Sequence, residues 1–287
     1  MGGPAGEGEQ GGGMTKEMDG GGGRAGGGER RGAAAGGPPG AFELLWGAPT
    51  RPRRGPRPAL RLDSLVEAAI ALADEEGLGA LSMARVAERL GFTTMSLYRH
   101  VASKDDLLLL MLNEAVGPPP DTLVTDPAAG WRAGLDAWTR GMYERALAHP
   151  WITRVGIGGA PTLPHQLAWM DRGVAPLAGV PLTGQEKLSA ILMLSRYAMS
   201  AAQLTSDVVA AAGAGTYEPG DGDYGATLAR LLDPARFPAL HAIAVSGEID
   251  PSVPPEGVAD ELHAEFHFGL ARMLDGLDVL LRSRASR

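Results

Sequence analysis

The chain has no cysteine among its 287 residues, which excludes disulfide bonds and metal sites built on thiolates. It also lacks any apolar run close to the roughly 18 to 20 residues that a membrane-spanning helix needs, so we expect no membrane partner. The amino terminus is rich in glycine and has no apolar stretch of the kind found in secretory signals. Together these absences favour a cytoplasmic protein.

Motifs of the common enzyme classes are absent as well. The chain contains no Gly-x-Ser-x-Gly elbow, no Walker loop, no dinucleotide-binding motif coupled to a strand and no thiol nucleophile. We therefore expect no enzymatic activity and no cofactor. His263 and His267 are four residues apart, a spacing that can chelate a metal on a helix. Glutamate follows neither histidine, so the zinc-protease pattern fails and we predict no metal site.

Charge is distributed unevenly along the chain. The net charge is −8, yet residues 51–104 carry nine basic against six acidic side chains. Residues 105–287 carry 13 basic against 22 acidic side chains. A positive segment followed by an acidic remainder favours binding of a polyanion in one orientation.

The segment 80–104 predicts two short helices joined by a tight turn. Ser82 can cap the first helix by accepting from its free backbone amides. The side of this helix that we expect to be buried consists of Val86, Ala87 and Leu90. Gly91 then stands where the helix must stop, because glycine tolerates the left-handed conformation.

The second helix of this pair has a polar, aromatic and basic outer face. Thr93 or Thr94 can cap it, and Leu97 and Val101 are spaced to face inward. The outward residues are Thr94, Met95, Tyr98, Arg99 and His100. A short helix with such a face, held across a preceding helix, fits the major groove of DNA.

This segment resembles the DNA-binding domain of TetR-type transcriptional regulators. The resemblance rests on Ser82-Met83, Val86-Ala87, Leu90-Gly91, Met95-Ser-Leu-Tyr-Arg-His-Val101 and Lys104-Asp105, and an upstream helix over Ser64–Glu76 matches the family's first helix. The match is continuous over about 60 residues. A plain helix–helix corner in a bundle is the alternative, but it would not need the Tyr98-Arg99-His100 face.

The resemblance implies which residues contact DNA. They are Ser82, Met83, Thr93, Thr94, Met95, Ser96, Tyr98, Arg99, His100 and Lys104. Arg99 would bind a guanine or only a phosphate; Tyr98 is alternatively a half-buried anchor, and His100 a plain surface histidine. Ala84 departs from the pattern, because close relatives often carry an arginine there that reaches a base or phosphate.

Residues 1–58 form an extension ahead of this domain. Residues 1–40 contain 18 glycines and few large apolar side chains, so we predict a disordered segment. Residues 51–58 are basic and rich in proline. Arg53 and Arg54 would lie along phosphates or enter the minor groove, or the segment is a solvated basic linker.

Beyond Lys104 the apolar spacing predicts only helices, so the expected fold is all-α. We expect a helix-turn-helix domain over 59–117, ending before Pro118-Pro-Pro120, and a helical bundle over 118–287. The predicted helices cover Asp105–Val116, Trp131–His149, Gln185–Val209 and Glu256–Leu281. A further apolar stripe consists of Leu167, Met170, Val174 and Leu177. We predict a loop over Ala210–Gly225.

The bundle resembles the tetracycline-repressor-like C-terminal domain, through His149-Pro-Trp151, Gly158-Gly-Ala-Pro161 and Phe266–Gly276. That resemblance implies a small effector inside each subunit and a homodimer built on two long helices. The candidate effector contacts are Trp138, Met142, His165, Trp169, Tyr197 and Gln203. Trp138 and Met142 equally fit a plain helical core.

The resemblance therefore predicts a ligand-responsive regulator, most simply a repressor. Its homodimer would bind a palindromic double-stranded DNA operator, with two recognition helices about 34 Å apart. A small-molecule effector of unspecified identity would release the operator. The alternatives are an effector-independent DNA-binding or architectural protein and a helical-bundle enzyme. A cavity in the C-terminal half would favour the regulator over the architectural protein.

Overall fold

The computed structural model describes residues 40–47, 60–123, 130–156, 161–215, 224–249 and 257–285. These residues form helices and connecting turns without a strand, which confirms the all-α prediction. No helix in these ranges combines the length and apolar character that crossing a bilayer requires. The disordered segment predicted over 1–40 lies outside the described residues except for Gly40, and so does the basic arm with Arg53 and Arg54.

The first half of the described chain contains the predicted helix pair. Its helices are α1 (Ala41–Trp46), α2 (Leu62–Glu76), α3 (Met83–Leu90), α4 (Thr94–Leu97) and α5 (Lys104–Val116). The Ser82 hydroxyl caps α3 by accepting from the Arg85 amide at 3.2 Å. Gly91 ends α3 with φ 72°, so both predicted signals are confirmed.

The second half is a bundle of longer helices. They are α6 (Trp131–Ala148), α7 (Pro164–Val174), α8 (Gly184–Gly213), α9 (Tyr224–Leu231), α10 (Pro238–Ser246) and α11 (Val258–Ala285), with a short 3₁₀ helix over Pro150–Arg154. Helix α8 continues beyond Val209, so the predicted loop from Ala210 is wrong as far as Gly213. Its alanines are strong helix formers. Residues 216–223 lie outside the described residues.

The buried apolar side chains form two clusters. The first is made by α2, α3, α4 and α5 and also includes Trp151, Ile152 and Leu163 from the second half. The second is made mainly by α6, α7, α8 and α11, around Leu135, Leu194 and Leu270. The first core is therefore completed by side chains that follow α6 in the sequence.

The predicted stripe of α7 and the turn after it packs in the second core at Met170, Val174 and Leu177, but not at Leu167. Leu167 is 37% exposed, whereas Trp169 is 4% exposed and its carbonyl accepts from Trp138 Nε1 at 2.7 Å. The predicted stripe was therefore wrong at Leu167. A tryptophan buries more apolar area than a leucine, and here it sets the orientation of the helix.

An ion pair joins the start of α8 to the end of α11. Glu186 completes a capping box with Thr183 and accepts from Arg284 Nη1 at 2.8 Å. The Arg284 hydrogen bond and then the Thr183 backbone amide lower the pKa of Glu186 to about 2. The carboxylate is thus favoured in its charged form.

Gly173→Ala should destabilise the protein. A Cβ at this buried position of α7 would lie 2.7 Å from Trp138 Cε2, and the indole is held by its bond to Trp169. We expect a free energy of unfolding lower by about 1–3 kcal/mol, measured by urea denaturation. Gly179→Ala is the matched control, since nothing lies within 4 Å of its Cβ. Equal stability of the two variants would contradict the packing.

The fall in the free energy of unfolding at acidic pH should depend on Glu186. Because its pKa is lowered on folding, its contribution is present above the unfolded value near 4.5 and is lost as pH falls toward about 2. Glu186→Gln should therefore flatten the fall in stability across this interval. Arg284→Gln should flatten the same interval, and the double variant should add nothing further. If the free energy of unfolding of the variants falls with pH as steeply as that of the wild type between pH 4.5 and about 2, the role given to Glu186 is wrong.

Candidate nucleic-acid interface and cavity

The predicted recognition segment is held by its apolar side. Leu97 and Val101 are fully buried in the first core, as predicted. Thr93 precedes α4 at its N-cap, but no side chain caps the helix, so the predicted threonine cap is wrong. The Thr93 hydroxyl instead lies 3.0 Å from that of Ser96. The two hydroxyls are thereby paired with each other at the start of the segment.

The opposite side of the segment faces outward. Met95 is 70% and Tyr98 is 40% exposed, Arg99 is exposed, and Thr94 and His100 are half-buried. The Tyr98 hydroxyl has no hydrogen-bond partner among the described residues, which leaves it available for an external acceptor. Met83 differs from the other predicted contacts, because it is 7% exposed and packs in the first core.

The cations around this face differ in their partners. The paired arginines are Arg61 with Asp63, Arg85 with Glu76 and Arg89 with Glu75. Arg99 and Lys104 are exposed and make no ion pair with any described residue. In this half, positive charge without a described carboxylate partner therefore lies on the recognition segment, at Arg99, and on the first residue of α5, Lys104.

The amino end of α5 is tied to α1. The Ser103 hydroxyl donates to Asp106 Oδ2 at 2.6 Å and accepts from the Asp106 amide at 3.0 Å. The Ala41 amide donates to the other carboxylate oxygen at 2.8 Å. At the other end of α1, Trp46 Nε1 donates to the Thr162 carbonyl at 2.9 Å. Helix α1 thus connects α5 to the segment that precedes α7.

A second connection runs through Asp74 on α2. Its Oδ1 accepts from Trp151 Nε1 at 2.7 Å and lies 3.0 Å from His149 Nδ1. Trp151 is 2% exposed, so this indole donor depends on the carboxylate. The 3₁₀ helix that begins at Pro150 is in this way fixed to the helix-turn-helix half.

A cavity of about 320 Å³ lies among α5, α6, α7 and α8, next to that 3₁₀ helix. Most of its lining is apolar, with Leu112 and Val116 from the carboxyl end of α5. The predicted contacts Trp138, Met142 and Trp169 line it. Ile152 and Thr153 of the 3₁₀ helix and Val155, the residue after it, also line the cavity. This is the 3₁₀ helix whose Trp151 is bound to Asp74.

The other three predicted effector contacts lie outside this lining. The His165 amide donates to Asn113 Oδ1 at 3.0 Å, and its Nδ1 lies 2.7 Å from the Asn113 carbonyl. The Tyr197 hydroxyl donates to the Phe266 carbonyl at 3.0 Å. Gln203 is exposed on α8. His165 and Tyr197 thus make structural contacts between helices.

Sequence reasoning missed the polar side chains of the cavity. They are Arg145, Thr153, Gln166, Ser195 and Arg196. Arg145 follows Trp138 and Met142 on one helical face, at i+7 from Trp138, so this spacing was the available signal. Both tryptophan donors are already used, since Trp169 Nε1 donates to the Gly117 carbonyl at 3.0 Å.

The histidine pair of α11 is next to a cation. His267 Nε2 lies 2.8 Å from His263 Nε2 and 3.3 Å from Arg140 Nη1. Burial, and after it the charge of Arg140, lowers the pKa of His267. Among the residues that the structure describes, no group of three or more acidic or histidine side chains could hold a metal ion.

Two family models match the chain, one in each half. The model described as bacterial regulatory proteins of the tetR family matches residues 65–111. The model of the tetracyclin repressor-like C-terminal domain matches residues 124–281. The first match contains α3 and α4, and the second contains the helices α6 to α10 and most of α11.

Individual proteins are similar over most of the chain. The HTH-type transcriptional repressor DrrR1 of Streptomyces coeruleorubidus is 38% identical over 84% of this chain and 86% of its own length. An HTH-type transcriptional regulator of Saccharopolyspora erythraea is 31% identical over 58% of this chain and 70% of its own. The Streptomyces coelicolor TetR family protein ActR, solved with actinorhodin, has a TM-score of 0.56 at 25% identity, covering 77% of this chain and 97% of ActR.

Asp74→Ala should weaken the link between the two halves. It removes the acceptor of the buried Trp151 indole, so we expect a free energy of unfolding lower by about 1–3 kcal/mol. Asp171→Ala is the matched control, because its exposed carboxylate has no partner among the described residues and should change stability by less than about 0.5 kcal/mol. Thermal or urea unfolding measures both, and equal losses would contradict the role of Asp74.

Proposed function

Because the chain belongs to the TetR family of bacterial transcriptional regulators, we propose that it is a homodimeric repressor of the bacterial cytoplasm. It binds a palindromic operator in double-stranded DNA and leaves it when a small-molecule effector occupies the cavity. The observation that carries this proposal is the exposed face of α4 and the turn after it, with cations that no carboxylate of a described residue neutralises.

Operator contact is assigned to the outer face of the recognition segment. In this proposal Met95 and Thr94 touch base edges or a thymine methyl group, and Arg99 binds a guanine or a phosphate. Tyr98, His100 and Lys104 contact the phosphate backbone. Ser82, Thr93 and Ser96 lie at the starts of α3 and α4, where free amides and hydroxyls suit phosphate. Met83 contributes little because it is buried.

Dimer formation is assigned to α8 and α11. Both helices leave large apolar side chains exposed, a pattern that favours a protein–protein interface. The largest exposures are Leu192 at 56%, Leu204 at 52%, Phe268 at 67% and Val279 at 68%. Two copies joined through these helices would present two recognition segments to successive major grooves, about 34 Å apart.

Effector control is supported by the cavity and by the relatives. An apolar cavity with a few polar side chains suits a small organic ligand. DrrR1 is named a repressor, and ActR was solved with actinorhodin bound. An effector-independent DNA-binding protein would have no need of such a cavity. The arrangement also contains no converging catalytic groups, so we propose no enzymatic step.

Helix α5 provides the path between cavity and DNA. Lys104 is its first residue, whereas Leu112 and Val116 near its other end line the cavity. An effector that packs against Leu112 and Val116 in only one position of α5 would favour that position. A shift of α5 moves Lys104 and the recognition segment beside it, which changes the spacing of the two segments in the dimer.

Selection of bound sequences from a random DNA pool tests operator reading. We expect a palindrome with two half-sites, and weaker binding by Tyr98→Ala and Lys104→Ala. In the dimer, Lys104→Ala removes two phosphate contacts, so the slope of log affinity against log salt should fall by about two. Arg89→Ala is the charge-matched control, because Glu75 already pairs with that guanidinium at 2.7 Å. Its salt slope should stay that of the wild type.

Two results would contradict the proposal. If no sequence is enriched, the protein does not recognise a specific operator. If Lys104→Ala and Arg89→Ala lose the same amount of salt dependence, binding reflects only a general attraction between DNA and positive charge. Sedimentation of the free protein and of its complex with the selected DNA tests the homodimer. A monomer bound to a single half-site would overturn the palindromic arrangement.

A further inference from the structure

Two arginine side chains that line the cavity have no partner among the described residues. The guanidinium groups of Arg145 on α6 and Arg196 on α8 make no hydrogen bond or ion pair with any described residue, and no carboxylate is among the described lining residues. We propose that the effector is an aromatic anion, whose carboxylate, sulfonate or ionised phenol is bound by these two guanidinium groups. This inference rests on the proposed function and specifies the chemistry of its ligand.

Other arginines of the bundle show how unusual this pair is. Seven of them have a carboxylate partner: Arg132 and Arg272 with Asp275, Arg140 with Asp136, Arg154 with Asp207, Arg172 with Asp121, Arg282 with Asp278 and Arg284 with Glu186. A guanidinium stays charged at any physiological pH and has five donors that suit a planar oxyanion. In a lining that is mostly apolar, its missing counter-charge is best supplied by the ligand.

The walls of the cavity favour an aromatic ring over an aliphatic chain. Trp138 and Trp169 both line it, and their indole donors are already bonded to protein carbonyls. The two indoles therefore offer only aromatic surface to a ligand. Polarisable sulfur is added by Met142, Met170 and Met199, which also line the cavity. A volume of about 320 Å³ lies at the small end for ligand cavities, so the ring system is compact.

The two guanidinium groups differ in depth. Arg145 is half-buried, and a methyl group placed on Gly117 would lie 3.5 Å from its Nη2, so it lies against the carboxyl end of α5. That helix end carries partial negative charge, which partly balances Arg145 before a ligand binds. Arg196 is exposed and lines the cavity from α8. We therefore assign the stronger contact to Arg145, and an anion bound there competes directly with the end of α5.

A matched pair of fluorescent probes tests the charge requirement in the full-length protein. The anionic probe is 8-anilinonaphthalene-1-sulfonate, and the neutral probe is N-phenyl-1-naphthylamine, which has the same rings without the sulfonate. We expect the wild type to bind the anion at least about tenfold more tightly than the neutral probe. Arg145→Gln should bring the ratio of the two dissociation constants close to one, and Arg196→Gln should reduce it by about threefold.

Two further variants locate the binding. Arg236→Gln removes an exposed arginine between α9 and α10 that is not part of the lining, so the ratio should remain that of the wild type. Ser195→Phe places a ring into the lining and should displace both probes. Loss of the ratio in Arg145→Gln alone, with both probes displaced by Ser195→Phe, would support the inference.

Two outcomes would overturn it. If both probes bind the wild type equally and Ser195→Phe displaces both, the cavity accepts neutral aromatics, so the anionic requirement is wrong while effector binding stands. If Ser195→Phe leaves both probes bound, they occupy another surface, and the assignment of the cavity as the effector site fails with it. Operator selection is measured separately and is unaffected by either result.

Discussion

Both functional regions depend on the burial of α5 from several sides at once. Helices α1, α2, α6 and α7 and the 3₁₀ helix after α6 all contact it, and Leu107 and Met111 have no exposed surface. A close-packed helix of 13 residues, about 20 Å long, moves as one body. In the proposed mechanism, such a helix would transmit a displacement at Val116 to Lys104.

The local chemistry of the sequence was sufficient for the helix-turn-helix. A serine cap, a left-handed glycine and an apolar spacing act over a few residues, and the structure confirms them at Ser82, Gly91 and Leu97. The contacts across the protein could not be read in this way. Trp46 and Thr162 are 116 residues apart, and Asp74 and Trp151 are 77 apart, so only the folded chain brings their polar atoms together.

The cavity was predicted in part, for a related reason. Trp138, Met142 and Trp169 attract attention because they are large and aromatic or sulfur-containing, and all three line it. Arg145 and Arg196 looked like ordinary surface charges, since a sequence does not show which cation lacks a carboxylate in space. The predicted stripe holds at Met170, Val174 and Leu177 but is wrong at Leu167, because helical spacing identifies a face only when one side is consistently apolar, and Trp169 is buried in its place.

Helix α1 lies ahead of residues 65–111 and 124–281, where the family models match. It is held by the buried Ala41, by Leu44 and Leu45, which pack against the first core, and by two hydrogen bonds, from the Ala41 amide to Asp106 and from the Trp46 indole to Thr162. These contacts bring a segment ahead of both matched regions into the same core as the helix-turn-helix. Removal of the six residues of α1 would therefore take away one connection between the two halves of the protein.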